Sequence, residues 1–286
     1  MITSRPEDRG VYSRFSFLHD IHKSPALADL VKIIEKKTYG DIKEAIIHGG
    51  KVRYTRLLGV KDVTALNKLI DEILVEDISD IVSKAPPECK RFLLTALELL
   101  DLRNIYATLF TDKKEVKTLV ADFTKYSKAC GKNKQYGCLL AEYLNGLLSS
   151  RLKCSVSGGL VVFASLALNE YARHLVNNEI LKLGLNEPSL EEVLYSKTNF
   201  MYSIGSVETF YLLLELEALK KNVATNFADV ETWYLDEAKR FLINLNPLLV
   251  NSSLGDVISM LLVSRIHEIR LLRKIMSEVV MSVYSH

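Results

Sequence analysis

Hydrophobic residues recur at intervals of three and four along almost the whole chain, which is the pattern of amphipathic helices. A clear example follows Asp62, a typical helix-capping residue, and carries apolar side chains at Val63, Leu66, Leu69, Ile70, Ile73 and Leu74. Alternating strand patterns separated by turns are not found. The β-prone run 160–163 continues into a helical pattern. The sequence therefore predicts an all-α fold.

Glycine and proline residues divide this pattern into separate helices. We predict a first helix that begins at Pro25 and ends near Tyr39, and a short second helix that Asp41 caps and that stops at Gly49. Further helices are predicted over roughly 62–82, 87–110, 113–129, 135–152, 160–183, 189–202, 206–227, 230–244 and 253–284. The loops between them are short, and no Pro-, Gly- or Ser-rich linker divides the chain. We therefore predict a single all-helical domain over residues 1–286.

Two of the predicted helices carry similar sequences. Residues 97–110 read LELLDLRNIYATLF and residues 214–227 read LELEALKKNVATNF, with seven of fourteen positions identical. A looser third match lies at 265–272, where Glu268-Ile269-Arg270 parallels Asp101-Leu102-Arg103. The similarity suggests an internal repeat.

Composition and charge exclude several classes of protein. The 286 residues are 48% hydrophobic and 25% charged, which is typical of a globular protein, and the net charge is only +2. This balance excludes the dominant positive field of most nucleic-acid-binding proteins. The basic run 125–134 could contact RNA, but a solvated helix end is the favoured interpretation. The polar start argues against a signal peptide, and neither apolar stretch (156–168, 242–264) fits a membrane span.

The cysteines and histidines give no strong signal of a metal or redox site. No CxxC pair occurs among the cysteines Cys89, Cys130, Cys138 and Cys154, so a zinc site is not expected. Free thiols in a reducing compartment are the favoured state. Disulfides are the alternative, as in intracellular proteins of hyperthermophiles, and the pairing of Cys130 with Cys138 stays open. The His19 and His22 pair could hold a metal, but a polar loop is favoured.

Catalytic motifs are also absent from the sequence, and no P-loop, GxGxxG, GxSxG or HExxH pattern occurs. Glu98 and Asp101 lie three residues apart on a leucine-rich helix, where unpaired burial would be costly. We therefore expect ion pairs and hydrogen bonds with neighbouring helices rather than acid–base chemistry, and no cofactor or metal. The candidates for such structural pairs are Glu98, Asp101, Arg103, Asn104, Glu215, Lys220, Arg265, Glu268, Arg270 and Arg273.

Three stretches together resemble the C-type coupling protein of the archaeal A-type ATP synthase, the counterpart of the d-type protein of the vacuolar ATPase. The first is 97–110, with its Asp101-Leu102-Arg103-Asn104-Ile105 sequence, and the second is 210–227. The third is 253–276, which contains Arg265 and Glu268, and the Tyr39-Gly40 turn is also similar. The resemblance implies three similar helical bundles that form a funnel around a pseudo-threefold axis, with approximate boundaries that can interleave.

The same resemblance implies a non-catalytic role. The protein would seat the central stalk on the membrane proteolipid ring, at the cytoplasmic face of the cell membrane, and transmit torque. It would bind no small-molecule substrate or nucleic acid and would not span the membrane. Two alternatives remain from the residues themselves: a free cytosolic helical adaptor that binds other proteins, or a helical enzyme using Glu98, Asp101 or the His19 and His22 pair.

Overall fold

The computed structural model describes residues 52–111, 118–180, 182–225, 235–240 and 253–284. Every regular element in these ranges is a helix, so the all-α prediction is confirmed. The chain divides into two compact units. The first joins Met1–Lys84 to Glu231–His286, and the second is Ala85–Val230. The three-bundle arrangement stays a prediction.

The first unit is built around the C-terminal helix. Its described elements are a 3-10 helix (Val52–Gly59), α1 (Val63–Lys84), a short helix α9 (235–240) and α10 (Leu254–Tyr284). α10 packs along the apolar face of α1. Every residue of α10 from 255 to 269 is buried, which is typical of a helix that is apolar nearly all round.

Local sequence explains how α1 begins and how the 3-10 helix attaches to it. The carboxylate of Asp62 accepts a hydrogen bond of 2.7 Å from the backbone N–H of Ala65, which satisfies one of the free donors at the helix start. Arg53 pairs with Asp77 at 2.7 Å, and Arg56 pairs with Glu76 at 3.0 Å. These ion pairs join the 3-10 helix to the outer side of α1.

The second unit is arranged around one central helix, α5 (Tyr136–Ser150). Its other elements are α2 (Pro87–Leu97), α3 (Leu102–Thr111), α4 (Phe123–Cys130), α6 (Gly158–Ile180), a π-helix (Glu192–Lys197), α7 (Phe200–Ser203) and α8 (Ser206–Ala224). α5 packs against α2, α3, α4, α6, the π-helix and α7, and α8 packs on α6. Apolar side chains around most of the α5 circumference make this central position possible.

The predicted helix over 87–110 is interrupted. A 3-10 segment (Glu98–Asp101) separates α2 from α3. The Tyr143 hydroxyl, from α5, donates a hydrogen bond of 2.9 Å to the carbonyl oxygen of Ala96, which would accept the N–H of residue 100 in a regular α-helix. A contact from a distant part of the chain therefore accompanies the break.

Two other predicted helices are also corrected. The helix over 113–129 begins only at Phe123, after Asp122, whose carboxylate caps the N–H of Thr124 at 2.9 Å. Residues 118–122 are not helical, and residues 112–117 lie outside the described ranges. The helix over 189–202 is instead a π-helix and α7, separated by the extended residue Thr198. The helices predicted before residue 50 lie outside the described residues.

Candidate functional site

Asp101 is the most completely buried acidic residue of the second unit, with 0% of its surface exposed. Its carboxylate oxygens accept hydrogen bonds of 2.8 Å from the backbone N–H groups of Leu119, Val120 and Ala121. Among the described residues, these backbone N–H groups and not an arginine or lysine are the partners of the Asp101 carboxylate. Its carboxylate instead fixes the loop that leads into α4.

Glu98 lies one helical turn before Asp101 and contacts α4. Its Oε2 atom accepts hydrogen bonds from Lys125 Nζ at 2.8 Å and from the Tyr126 hydroxyl at 2.6 Å. The pKa of Tyr126 is raised by burial and by the neighbouring Glu98 carboxylate. A raised pKa keeps this hydroxyl protonated, so it acts as a hydrogen-bond donor and not as a base. Lys125 is therefore not simply part of a solvated helix end.

The charged residues of α10 form pairs within the first unit. Arg265 Nη1 lies 2.6 Å from Glu268 Oε2, and their side chains are 10% and 0% exposed. Arg270 lies 3.4 Å from Glu237 of α9, and Arg273 pairs with Asp71 of α1. Such pairs offset the cost of placing charges on a buried helix.

The other predicted candidates lie in several places. Glu215 is buried on α8 and accepts a hydrogen bond of 2.6 Å from Asn169 of α6. Lys220 pairs with Glu191 at 2.6 Å in a half-exposed position. Arg103 and Asn104 are exposed on α3, and the described residues place no ion-pair partner beside Arg103. That these two residues meet neighbouring helices stays a prediction.

A histidine–tyrosine cluster was not predicted from the sequence. His174 stacks on Tyr136 at 4.7 Å and meets Tyr106 edge-on at 4.8 Å between ring centroids. Its Nε2 atom lies 3.2 Å from Oε1 of Glu187, whose carboxylate also accepts the backbone N–H groups of Tyr136 and Gly137 at 2.9 and 3.0 Å. In the sequence, His174 is a lone histidine on a predicted helix and Glu187 is a glutamate before Pro188. No shared motif links the two residues.

The electrostatics of this cluster favour an ionised Glu187 carboxylate and a protonated Tyr106 hydroxyl. Burial opposes ionisation of Glu187, but the hydrogen bonds from His174 and from the two backbone N–H groups outweigh it and lower the pKa of the carboxyl. Burial, together with the Glu187 charge, raises the pKa of Tyr106 to about 12. The Tyr106 hydroxyl is buried and has no hydrogen-bond partner among the described residues.

The expectation of free thiols is wrong. Cys89 is joined to Cys154 and Cys130 to Cys138, with Cα atoms 4.7 and 5.8 Å apart. These separations suit disulfides, which need Cα atoms roughly 4.4–6.8 Å apart. Packing of α2 on α5 and on the segment after it brings the first pair together, and the turn between α4 and α5 aligns the second. The 65-residue spacing between Cys89 and Cys154 in the sequence does not indicate that these two cysteines pair.

An apolar stripe along α8 is exposed. Val207, Phe210 and Leu214 follow one another at helical spacing and are 60%, 58% and 54% exposed. An exposed apolar row of this kind marks a surface that can bind another protein. Two of its three residues, Phe210 and Leu214, lie within the 210–227 stretch singled out in the sequence.

Metal-ligating side chains do not converge in the part of the chain that the structure describes. No group of histidine, cysteine, aspartate and glutamate residues there could hold a metal ion. His19 and His22 lie outside it. No described helix has the length and apolar character needed to cross a membrane.

Comparison with known proteins gives no relative of this chain. It matches no protein-family model, no curated protein and no solved structure.

Proposed function

We propose that this chain is a non-catalytic coupling component of the central rotor in an archaeal A-type, V-type-like proton-translocating ATP synthase. In this role it seats the central stalk on the membrane proteolipid ring at the cytoplasmic face of the membrane and transmits torque. The three resembling stretches, 97–110, 210–227 and 253–276, are the basis of the proposal.

One observation supports a non-catalytic role most directly. The acidic residues within the first and third stretches, Asp101 and Glu268, are both 0% exposed, and both contact other groups of the protein. Asp101 binds three backbone N–H groups, and Glu268 pairs with Arg265. A catalytic carboxylate must reach its substrate. The Asp101 carboxylate instead holds the loop before α4, and the Glu268 carboxylate pairs with an arginine of its own helix.

Internal bracing also suits a torque-transmitting part. Within the second unit, the Glu98–Lys125 pair joins the α2–α3 junction to α4, and two disulfides cross-link helices and turns. Within the first unit, arginines of the 3-10 helix and of α10 pair with α1. Close-packed, cross-linked helices resist deformation, because packed interiors have low compressibility.

The α8 stripe favours a second candidate, a free helical adaptor that binds another protein through this surface. Both functions require a partner, and they differ in which partner it is. The coupler binds ring and stalk proteins in a membrane complex. The adaptor binds a protein outside that complex.

Co-purification from detergent-solubilised membranes of the source cells distinguishes the two. The tagged wild-type chain is compared with Phe210→Asp, which places a charge in the α8 stripe. A matched control is Leu152→Asp, at a residue 78% exposed on the 3-10 segment Arg151–Lys153. We expect ring and stalk proteins to co-purify with the wild type and with Leu152→Asp, and to be lost with Phe210→Asp.

Two other results are informative. Absence of ring and stalk proteins from the wild-type preparation would overturn the coupler proposal and leave the adaptor. If these proteins co-purify equally with all three forms of the chain, the coupler stands and the α8 stripe is not its docking surface. Circular dichroism of each variant checks that the helices are intact.

A further inference from the structure

The two disulfides of the second unit differ in their exposure to solvent. Cys89 and Cys154 are 4% and 5% exposed, so both sulfur atoms of that bond are enclosed. Cys130 is 0% exposed, but its partner Cys138 is partly exposed at the start of α5. A thiolate must approach a sulfur atom directly to exchange with a disulfide. Only Cys138 offers such an approach.

We propose that the Cys130–Cys138 disulfide is a site of reversible thiol–disulfide exchange with a dithiol reductant, which attacks at Cys138. The Cys89–Cys154 disulfide stays closed under the same conditions and serves as a permanent cross-link. The proposal concerns a chemical modification of this chain and does not depend on the coupler function.

The exchange proceeds in two steps. A thiolate of the reductant attacks Cys138 Sγ and forms a new S–S bond, and the Cys130–Cys138 bond breaks. Cys130 leaves with the electron pair and takes a proton from water. The second thiol of the reductant, as thiolate, then attacks the reductant's own sulfur in this mixed disulfide and releases Cys138, which is also protonated. Two electrons and two protons have reached the protein, and the reductant leaves as its disulfide.

Charges around this bond favour the first step. Lys128 and Lys132 are exposed and lie two residues before and two residues after Cys130 in the sequence. Their positive charge raises the local concentration of an anionic thiolate. The buried Cys89–Cys154 bond cannot benefit in the same way, because attack on it first requires local unfolding.

The turn closed by the disulfide can open without loss of the surrounding helices. The backbone N–H groups of Asn133 and Lys134 donate to the Cys130 carbonyl at 3.1 and 3.0 Å, so the turn keeps its own hydrogen bonds. Lys134 has a φ of 48°, in the left-handed region that disfavours side chains. Reduction removes the covalent closure of a turn that contains this strained residue. We therefore expect increased mobility there, with the helices retained.

The test uses the intact oxidised protein under native conditions. It is treated with limiting dithiothreitol, trapped with iodoacetamide at intervals, and analysed by peptide mass spectrometry. We expect Cys130 and Cys138 to be labelled at least about tenfold faster than Cys89 and Cys154. Reduction in denaturant must label all four residues, which verifies the assay. The same samples should show faster amide exchange in residues 131–135 after the first phase.

A monothiol identifies the sulfur that is attacked. With 2-mercaptoethanol, the transient mixed disulfide should lie on Cys138. A matched variant, Lys128→Gln with Lys132→Gln, should slow exchange with 2-mercaptoethanesulfonate, whose thiolate carries two negative charges, by about twofold or more at low salt. The same variant should slow exchange with the singly charged thiolate of 2-mercaptoethanol by a smaller factor. Equal labelling rates for the two disulfides, a mixed disulfide on Cys130, or no opening before global unfolding would each overturn the proposal.

Discussion

Substituting Asp101 tests whether its carboxylate holds the loop that leads into α4. The side chain is fully buried, and its two oxygens accept three backbone hydrogen bonds of 2.8 Å from residues 119, 120 and 121. Asp101→Ala removes all three acceptor contacts. Asp101→Asn keeps the shape but presents an NH₂ group to N–H donors at one of the two oxygen positions, so that at least one contact becomes repulsive.

The expected loss of stability follows from the number and kind of these contacts. A hydrogen bond to a charged group contributes about 1.5–3 kcal/mol, and an unsatisfied buried donor costs about 1–3 kcal/mol. The three contacts are not additive, because the loop can relax and two of the N–H groups are only partly buried. We expect Asp101→Ala to lower the free energy of unfolding by about 3–5 kcal/mol, and Asp101→Asn by about 2–3 kcal/mol.

Urea unfolding followed by far-UV circular dichroism measures this loss, and amide exchange at residues 119–121 locates it. The matched control is Asp122→Ala, which removes an exposed helix cap beside the same loop and should cost about 1 kcal/mol. If Asp101→Ala is no more destabilising than Asp122→Ala, or the three amides exchange at the wild-type rate, the carboxylate does not hold the loop.

Three further substitutions test the other buried groups. Glu268→Ala removes the buried carboxylate that pairs with Arg265 and should cost about 3–5 kcal/mol in urea unfolding. The double variant Arg265→Met with Glu268→Leu should recover much of that loss, and a double variant worse than the single one argues against the pair. Because the fold lowers the pKa of Glu187 from its ordinary 4.5, its ionised form adds stability above pH 4.5 that is lost as the pH falls through the folded-state pKa. Glu187→Gln should therefore flatten the fall in melting temperature between about pH 5 and pH 3, and an unchanged pH profile contradicts this assignment. Tyr106→Phe removes a buried hydroxyl without a partner among the described residues and should leave stability unchanged or raise it by up to about 1 kcal/mol, so a loss above 1 kcal/mol reveals a missed contact.

Helix positions could be predicted from the sequence wherever local signals decided them. The Asp62 cap and the apolar spacing after it gave the start of α1 to within one residue. The break at 98–101 could not be predicted in this way. The Tyr143 hydroxyl that contacts Ala96 there comes from a residue 47 positions away in the chain. Such a contact has no local signature, so the leucine-rich pattern alone predicts one continuous helix through the break.

The partners of Asp101 also could not be predicted from the sequence, because they come from a distant part of the chain. Its burial could be predicted from the leucines around it, and so could its need for partners. Neighbours one helical turn away, Leu97 and Ile105, carry no positive charge. Because no positive charge lies one turn away on the same helix, the sequence indicates that the partner of Asp101 is not an arginine or lysine of that helix. The actual partners, three backbone N–H groups, belong to a loop whose sequence gives no indication of that role.

The disulfides place a condition on the proposed location. Structural disulfides persist in oxidising compartments and are rare in the reducing cytosol of mesophiles, but are common in intracellular proteins of hyperthermophiles. A coupling protein at the cytoplasmic face with two closed disulfides therefore requires a cell of the second kind. Alkylation of the protein in unbroken source cells, followed by mass spectrometry, tests this directly. If Cys89 and Cys154 are found as free thiols in the cell, the cross-link forms only after isolation and contributes nothing to rigidity in the motor. If they are joined, disulfide formation and cytoplasmic location are compatible only in an organism whose cytosol tolerates such bonds.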